Sequence, residues 1–87
     1  MTVWKFPLTL ADSQAVSMPL DAEILCIQVQ GAATPCLWAR VEEHHPLTER
    51  RIEMRGTGHS VESDLRYIGT VQLYGGTLVL HAFEDPR

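Results

Sequence analysis

The chain has 87 residues, 45% of them hydrophobic and 21% charged, with a formal net charge of −4. That length holds one domain, and the composition is that of a folded globular chain rather than a disordered one. The acidic balance excludes a general electrostatic grip on nucleic acid, which needs a basic surface to displace counterions from phosphates.

No stretch approaches the ~18 apolar residues of a membrane span. Trp4, Lys5 and Pro7 depart from the layout of a signal peptide, so the expected location is the cytoplasm. Thr2 to Phe6 alternates as an edge strand, ended by Pro7. Gln14 to Met18 reads as a second short strand, closed by Met18-Pro19 and the turn formers around Asp21. Glu23 to Gln30 is the clearest period-2 segment: Leu25, Ile27 and Val29 point one way, Cys26, Gln28 and Gln30 the other. Pro35 to Glu42 answers it, with Leu37, Ala39 and Val41 on one face and Cys36, Trp38 and Arg40 on the other.

A hairpin over Gly31 to Thr34 joins these two segments and predicts Val29 opposite Leu37, Ile27 opposite Ala39, Leu25 opposite Val41 and Gln28 opposite Trp38. Cys26 and Cys36 then stand about four residues out of register. That is roughly 13 Å, beyond the ~7 Å reach of a disulfide, so free thiols are expected. Glu49 to Arg55 turns Ile52 and Met54 inward. Paired against residues 35–42, it is expected to set Glu42 opposite Arg51, Arg40 opposite Glu53 and Trp38 opposite Arg55. The competing register puts Arg40 against Arg51, a like-charge pair.

Gly56 to Leu65 is the longest irregular segment. After it, Tyr67 to Phe83 forms a hairpin around a two-residue Gly75-Gly76 connection. Tyr74 then faces Thr77, while Leu73–Leu78, Val71–Leu80 and Gly69–Ala82 form the core side. The other side pairs Gln72 with Val79, Thr70 with His81 and Ile68 with Phe83. This face, with Ile68, Val79, His81 and Phe83, is too apolar for water, and a homo-oligomer that covers it is expected. Seven short strands with turn residues between them indicate an all-β fold, a small antiparallel β-sandwich or partly closed barrel.

Neither a C-x-x-C pair nor a helical H-x-x-x-H pair occurs, and no metal or other cofactor is expected. His44 and His45 sit beside Pro46 and read as a solvated loop. His59, after two glycines in the largest loop, is the best functional histidine, and with His81 it defines a rival reading as a metal-dependent hydrolase. Arg55, Thr57, Gly58, His59 and Arg66 fall near one end of the sheet, where side chains and backbone N–H groups could bind a small anion. Trp38 stands on the polar face of its strand. It either packs under the N-terminal segment, against Trp4, or serves as an interface anchor or a stacking platform beside the anion site.

The succession Trp4-Lys5-Phe6-Pro7-Leu8, Pro35-Cys36-Leu37-Trp38-Ala39, Gly56-Thr57-Gly58-His59 and Tyr67-Ile68-Gly69-Thr70, closed by His81-Ala82-Phe83-Glu84, resembles a family of small uncharacterised proteins encoded largely by bacteriophages and prophages. The resemblance covers nearly the whole chain and implies a setting, the cytoplasm of an infected host, rather than a mechanism. Joined to the residues above, it leads to the expectation of a non-enzymatic binding protein. Its concrete form is a counter-defence protein that sequesters a small anionic or nucleotide signal or masks a host protein. The other alternative is a structural or assembly accessory without a ligand.

Overall fold

Alternating runs separated by Gly, Pro, Asp and Ser become strands throughout the chain, and the computed structural model describes residues 1–87. The strands are β1 (Thr2–Pro7), β2 (Ser13–Pro19), β3 (Glu23–Gln30), β4 (Thr34–Val41), β5 (Leu47–Gly56), β6 (Arg66–Leu73) and β7 (Leu78–Asp85). They form two antiparallel sheets, one of three strands in the order β1-β4-β3 and one of four in the order β2-β5-β7-β6. The sheets pack as an open sandwich, and no helix is long and apolar enough to cross a membrane.

Between the sheets, Ile27 and Leu37 meet Ile52, Met54, Val71, Leu73 and Ala82, with Leu8 sealing the edge. A smaller cluster of Met18, Ala22, Ala39 and Val41 fills the other end. Burial of this apolar surface is what holds the layers together, at about 25 cal/mol per Å². Gly69 packs against the facing sheet: a Cβ there would stand 2.9 Å from Ile27 Cγ2, closer than side-chain atoms pack without a shift.

The terminal hairpin keeps most of its expected register, with Leu73–Leu78, Gln72–Val79, Val71–Leu80, Thr70–His81 and Gly69–Ala82 all paired. Its turn is longer than two residues. Tyr74 takes a positive φ of 53° and leads into Gly75 and Gly76, so Tyr74 and Thr77 belong to the turn and not to the ladder. A bulge between Tyr67 and Gly69 corrects the far end: Tyr67, not Ile68, opposes Phe83. The extra residue lets Ile68 pack against the core, so it leaves the outer face where Val79, His81 and Phe83 remain.

The β3–β4 hairpin is displaced by two residues from expectation. Ile27 pairs with Leu37, Gln28 with Cys36 and Cys26 with Trp38. A bulge between Ile24 and Cys26 then turns Ile24 inward and leaves Leu25 exposed. Cys26 and Cys36 are consequently two residues out of register rather than four, and both are free thiols.

The expected β4–β5 pairing does not form. β4 lies between β1 and β3, and β5 lies between β2 and β7, in different sheets. Leu37 and Ile52 meet face to face across the core instead of side by side, and Arg40 pairs with Glu23 on β3. A like-charge rule can choose between registers of neighbouring strands, but it cannot make two strands neighbours.

Candidate functional site

β5 and β6 flank β7, and each is antiparallel to it, so they run parallel to each other. The connection, residues 57–65, must therefore return along the sheet from the Gly56 end to the Arg66 end. Its contacts place it over the outer face of the four-stranded sheet. Thr57 Oγ1 lies 2.8 Å from His81 Nε2, Glu62 accepts from Arg55 at 2.9 Å, and Asp64 lies 3.1 Å from Arg87. The chain thus shields with its own loop part of the face expected to need a partner, and Val79, His81 and Phe83 are only partly exposed.

Under this loop a hydrogen-bonded row crosses two strands. Tyr67 Oη is 2.6 Å from Thr70 Oγ1, which is 2.9 Å from His81 Nδ1, while Thr57 closes the other side of the ring. In either tautomer of the neutral imidazole, one hydroxyl donates to the ring and the other accepts from it. The His59 ring lies elsewhere, against its own turn: a Cβ on Gly56 would stand 3.0 Å from His59 Cε1. His59 and His81 therefore serve separate contacts, and no group of three or more metal-ligating side chains is present.

Arg55 is central to the outer face and already satisfied. Its guanidinium donates to Glu53 at 3.1 Å, to Glu62 at 2.9 Å and to the Asp12 carbonyl at 3.2 Å. The hydrogen bond to Glu53 is the main reason its pKa lies above the ordinary arginine value, with Glu62 adding to it. Glu53, itself buried, also accepts from Ser13 Oγ. A cation neutralised by two carboxylates is not placed to capture a third anion.

The six residues expected to share a ligand site therefore separate into three places. Arg55, Thr57, Gly58 and His59 stay together at the loop. Trp38 stands on the outer face of the other sheet, between Lys5 of β1 and Cys26 of β3. Trp4 points into the core on the opposite side, so the two indoles do not pack together. Arg66 lies at the start of β6, opposite Glu84, in a different cavity.

That cavity is a notch in the four-stranded sheet. β7 ends at Asp85, opposite Arg51, whereas β5 extends back to Leu47 with only β2 beside it. The gap admits side chains from both faces of β5, which is how Arg50 and Arg51 come to line one space with Arg66 and Arg87. Its volume is about 560 Å³, and Ala15, Leu20, Ala22 and Pro86 are its apolar walls. Arg50 is held by Glu84 and by the Ala22 carbonyl at 2.8 Å, tying the sheet to the β2–β3 turn. Arg87 is held by Asp85 and Asp64. Arg51 has only the Ser13 hydroxyl, at 2.8 Å, and Arg66 has no hydrogen-bonding or ionic partner.

The sequence reading included Arg66 but missed Arg50, Arg51 and Arg87. Adjacent arginines on one strand point to opposite faces, and only a strand that outruns its neighbour brings both into one space. No curated protein and no solved structure matches the chain. The family model for a domain of unknown function, DUF7352, matches residues 1–87, and the chain belongs to that family.

Proposed function

We propose that this chain is a non-enzymatic binding protein that takes a small anion in the notch beyond the end of β7. The observation that carries the reading is Arg66: a guanidinium with its donors unused that lines this cavity from the start of β6. Guanidinium groups bind phosphate and carboxylate through paired, charge-assisted hydrogen bonds, and such groups left free in a cavity favour an anion there. The phage-type resemblance gives this a role, counter-defence by sequestering an anionic signal.

Titration with inorganic phosphate, followed through backbone amide chemical shifts, tests the site. Shifts at residues 48–51, 66 and 84–87 are expected, and Arg66→Ala should abolish them. Shifts confined to Arg55, Thr57 and His59, or the same shifts in Arg66→Ala, would remove the notch as the binding place.

A second reading, self-association through the outer face, is favoured by the 63% exposure of Tyr67, whose ring meets Phe83 edge-on at 5.6 Å between centroids. Light scattering of wild type and Tyr67→Asp should then give different masses. A monomer in both ends that reading and leaves the anion site untouched.

A further inference from the structure

The notch is not simply basic. Four arginines line it, and so do Asp21, Glu49, Glu84 and Asp85. Two of these acids are spoken for: Glu84 by Arg50, and Asp85 by Arg87. Asp21 and Glu49 have no partner, just as Arg66 has none and Arg51 has only a hydroxyl. The wholly unpartnered groups are therefore one cation, Arg66, and two anions.

Arg51 and Glu49 are next-but-one neighbours on one face of β5, whereas Arg66 is separated in space from both acids. Arg66 stands at the start of β6, on one side of the end of β7. Glu49 lies on the extended part of β5, on the other side, and Asp21 lies beyond it in the β2–β3 turn. Two strand spacings, roughly 10 Å, separate the β6 wall from the β5 wall. Long side chains reaching inward shorten that gap to the length of a small molecule. A polyanion filling the space would meet Arg66 at one end and two bare carboxylates at the other, and like charges brought together in a closed contact oppose binding.

We infer that the ligand of the notch is a small soluble zwitterion, a phosphate monoester bearing an amine, with its phosphate toward Arg66 and its ammonium toward Asp21 and Glu49. This rests on the anion-site reading above and deepens it. The free guanidinium of Arg66 matches the phosphate, which carries between one and two negative charges near neutral pH. The scarcity of apolar wall argues against a large ring or an acyl chain as the body of the ligand.

The test compares two esters that share one anion. 3-Aminopropyl phosphate and propyl phosphate are titrated into the intact chain, with amide shifts at residues 48–51 and 66 as the readout. The amine-bearing ester is expected to bind about tenfold more tightly. Asp21→Asn combined with Glu49→Gln should erase the difference while leaving propyl phosphate binding in place, and both positions are exposed, so folding is preserved. Equal affinity for the two esters in wild type overturns the zwitterion while the anion site stands. Failure of both esters and of inorganic phosphate to bind overturns the anion site itself. Binding to phosphatidylethanolamine vesicles in place of the free ester overturns the assignment to a soluble ligand.

Discussion

Arg55 and Arg66 lie on the same sheet and illustrate opposite uses of one side chain. Arg55 is surrounded by Glu53, Glu62 and the Asp12 carbonyl and fastens a crossing loop to the strands beneath it. Arg66, at the notch, touches none of the carboxylates around it. A charge that is hydrogen-bonded and partly buried supports the fold, and a charge left free at a gap in the sheet is available to a ligand. Adjacency in sequence to a glycine-rich loop does not separate these cases, but the count of partners does.

This contrast can be broken most severely at Glu84. Glu84→Ala leaves Arg50, with 21% of its side chain exposed, held by the Ala22 carbonyl alone. A loss of about 3 kcal/mol is expected in urea unfolding, because removing one member of a buried ion pair strands the other. A loss below ~1 kcal/mol would mean that the pair contributes little to the closure of the sandwich. Glu53→Ala comes next, at ~2 kcal/mol, since it removes the buried acceptor of both Arg55 and Ser13.

Glu62→Ala should cost only ~0.5 kcal/mol, its carboxylate being half exposed and its pair screened by water. Hydrogen exchange should nevertheless quicken in residues 57–65, and unchanged protection there would show that the loop does not depend on this contact. Asp85 supplies a smaller, pH-dependent effect. Hydrogen bonding from Arg87 holds its carboxyl below the ordinary 3.8. Its contribution to stability is complete above that value and fades as pH falls through the lower folded value, so Asp85→Asn should flatten the acid limb of the stability curve. Arg66→Ala should shift stability by no more than ~0.5 kcal/mol, which would set Arg66 apart from Arg55 as a group the fold does not need.

The strands themselves were legible because apolar alternation marks each of them, and the two hairpins show where legibility ends. Around Gly75 and Gly76 the register was readable from Leu73–Leu78 to Gly69–Ala82, even though the turn is wider than a simple Gly-Gly connection. Around Gly31 it was not, because matching inward residues leaves the register free by steps of two, and a turn tight enough to pair Gln30 with Thr34 sets it; the Ile24/Cys26 bulge then turns Ile24 inward. Both bulges were invisible for the same reason: one extra residue reverses the facing of everything beyond it, and only packing against the opposite sheet decides where it falls. Of the candidate site, the proximity of Thr70 to His81 follows from the hairpin register, whereas the approach of Thr57 to His81, the isolation of Trp38 and the company of Arg66 follow from strand order. Strand order depends on pairings between distant segments, and a pattern confined to one strand does not carry it.

The last of the strands in sequence is an inner one in its sheet, inserted between two that precede it. During folding, β6 has no edge within its own sheet on which to assemble until residues 78–85 arrive, and the return loop remains slack until then. Closure of the four-stranded layer therefore requires the long-range pairing of β5 with β7. The gap at Asp85 takes its shape in that same pairing: both of its side walls are joined only when the inserted strand is seated.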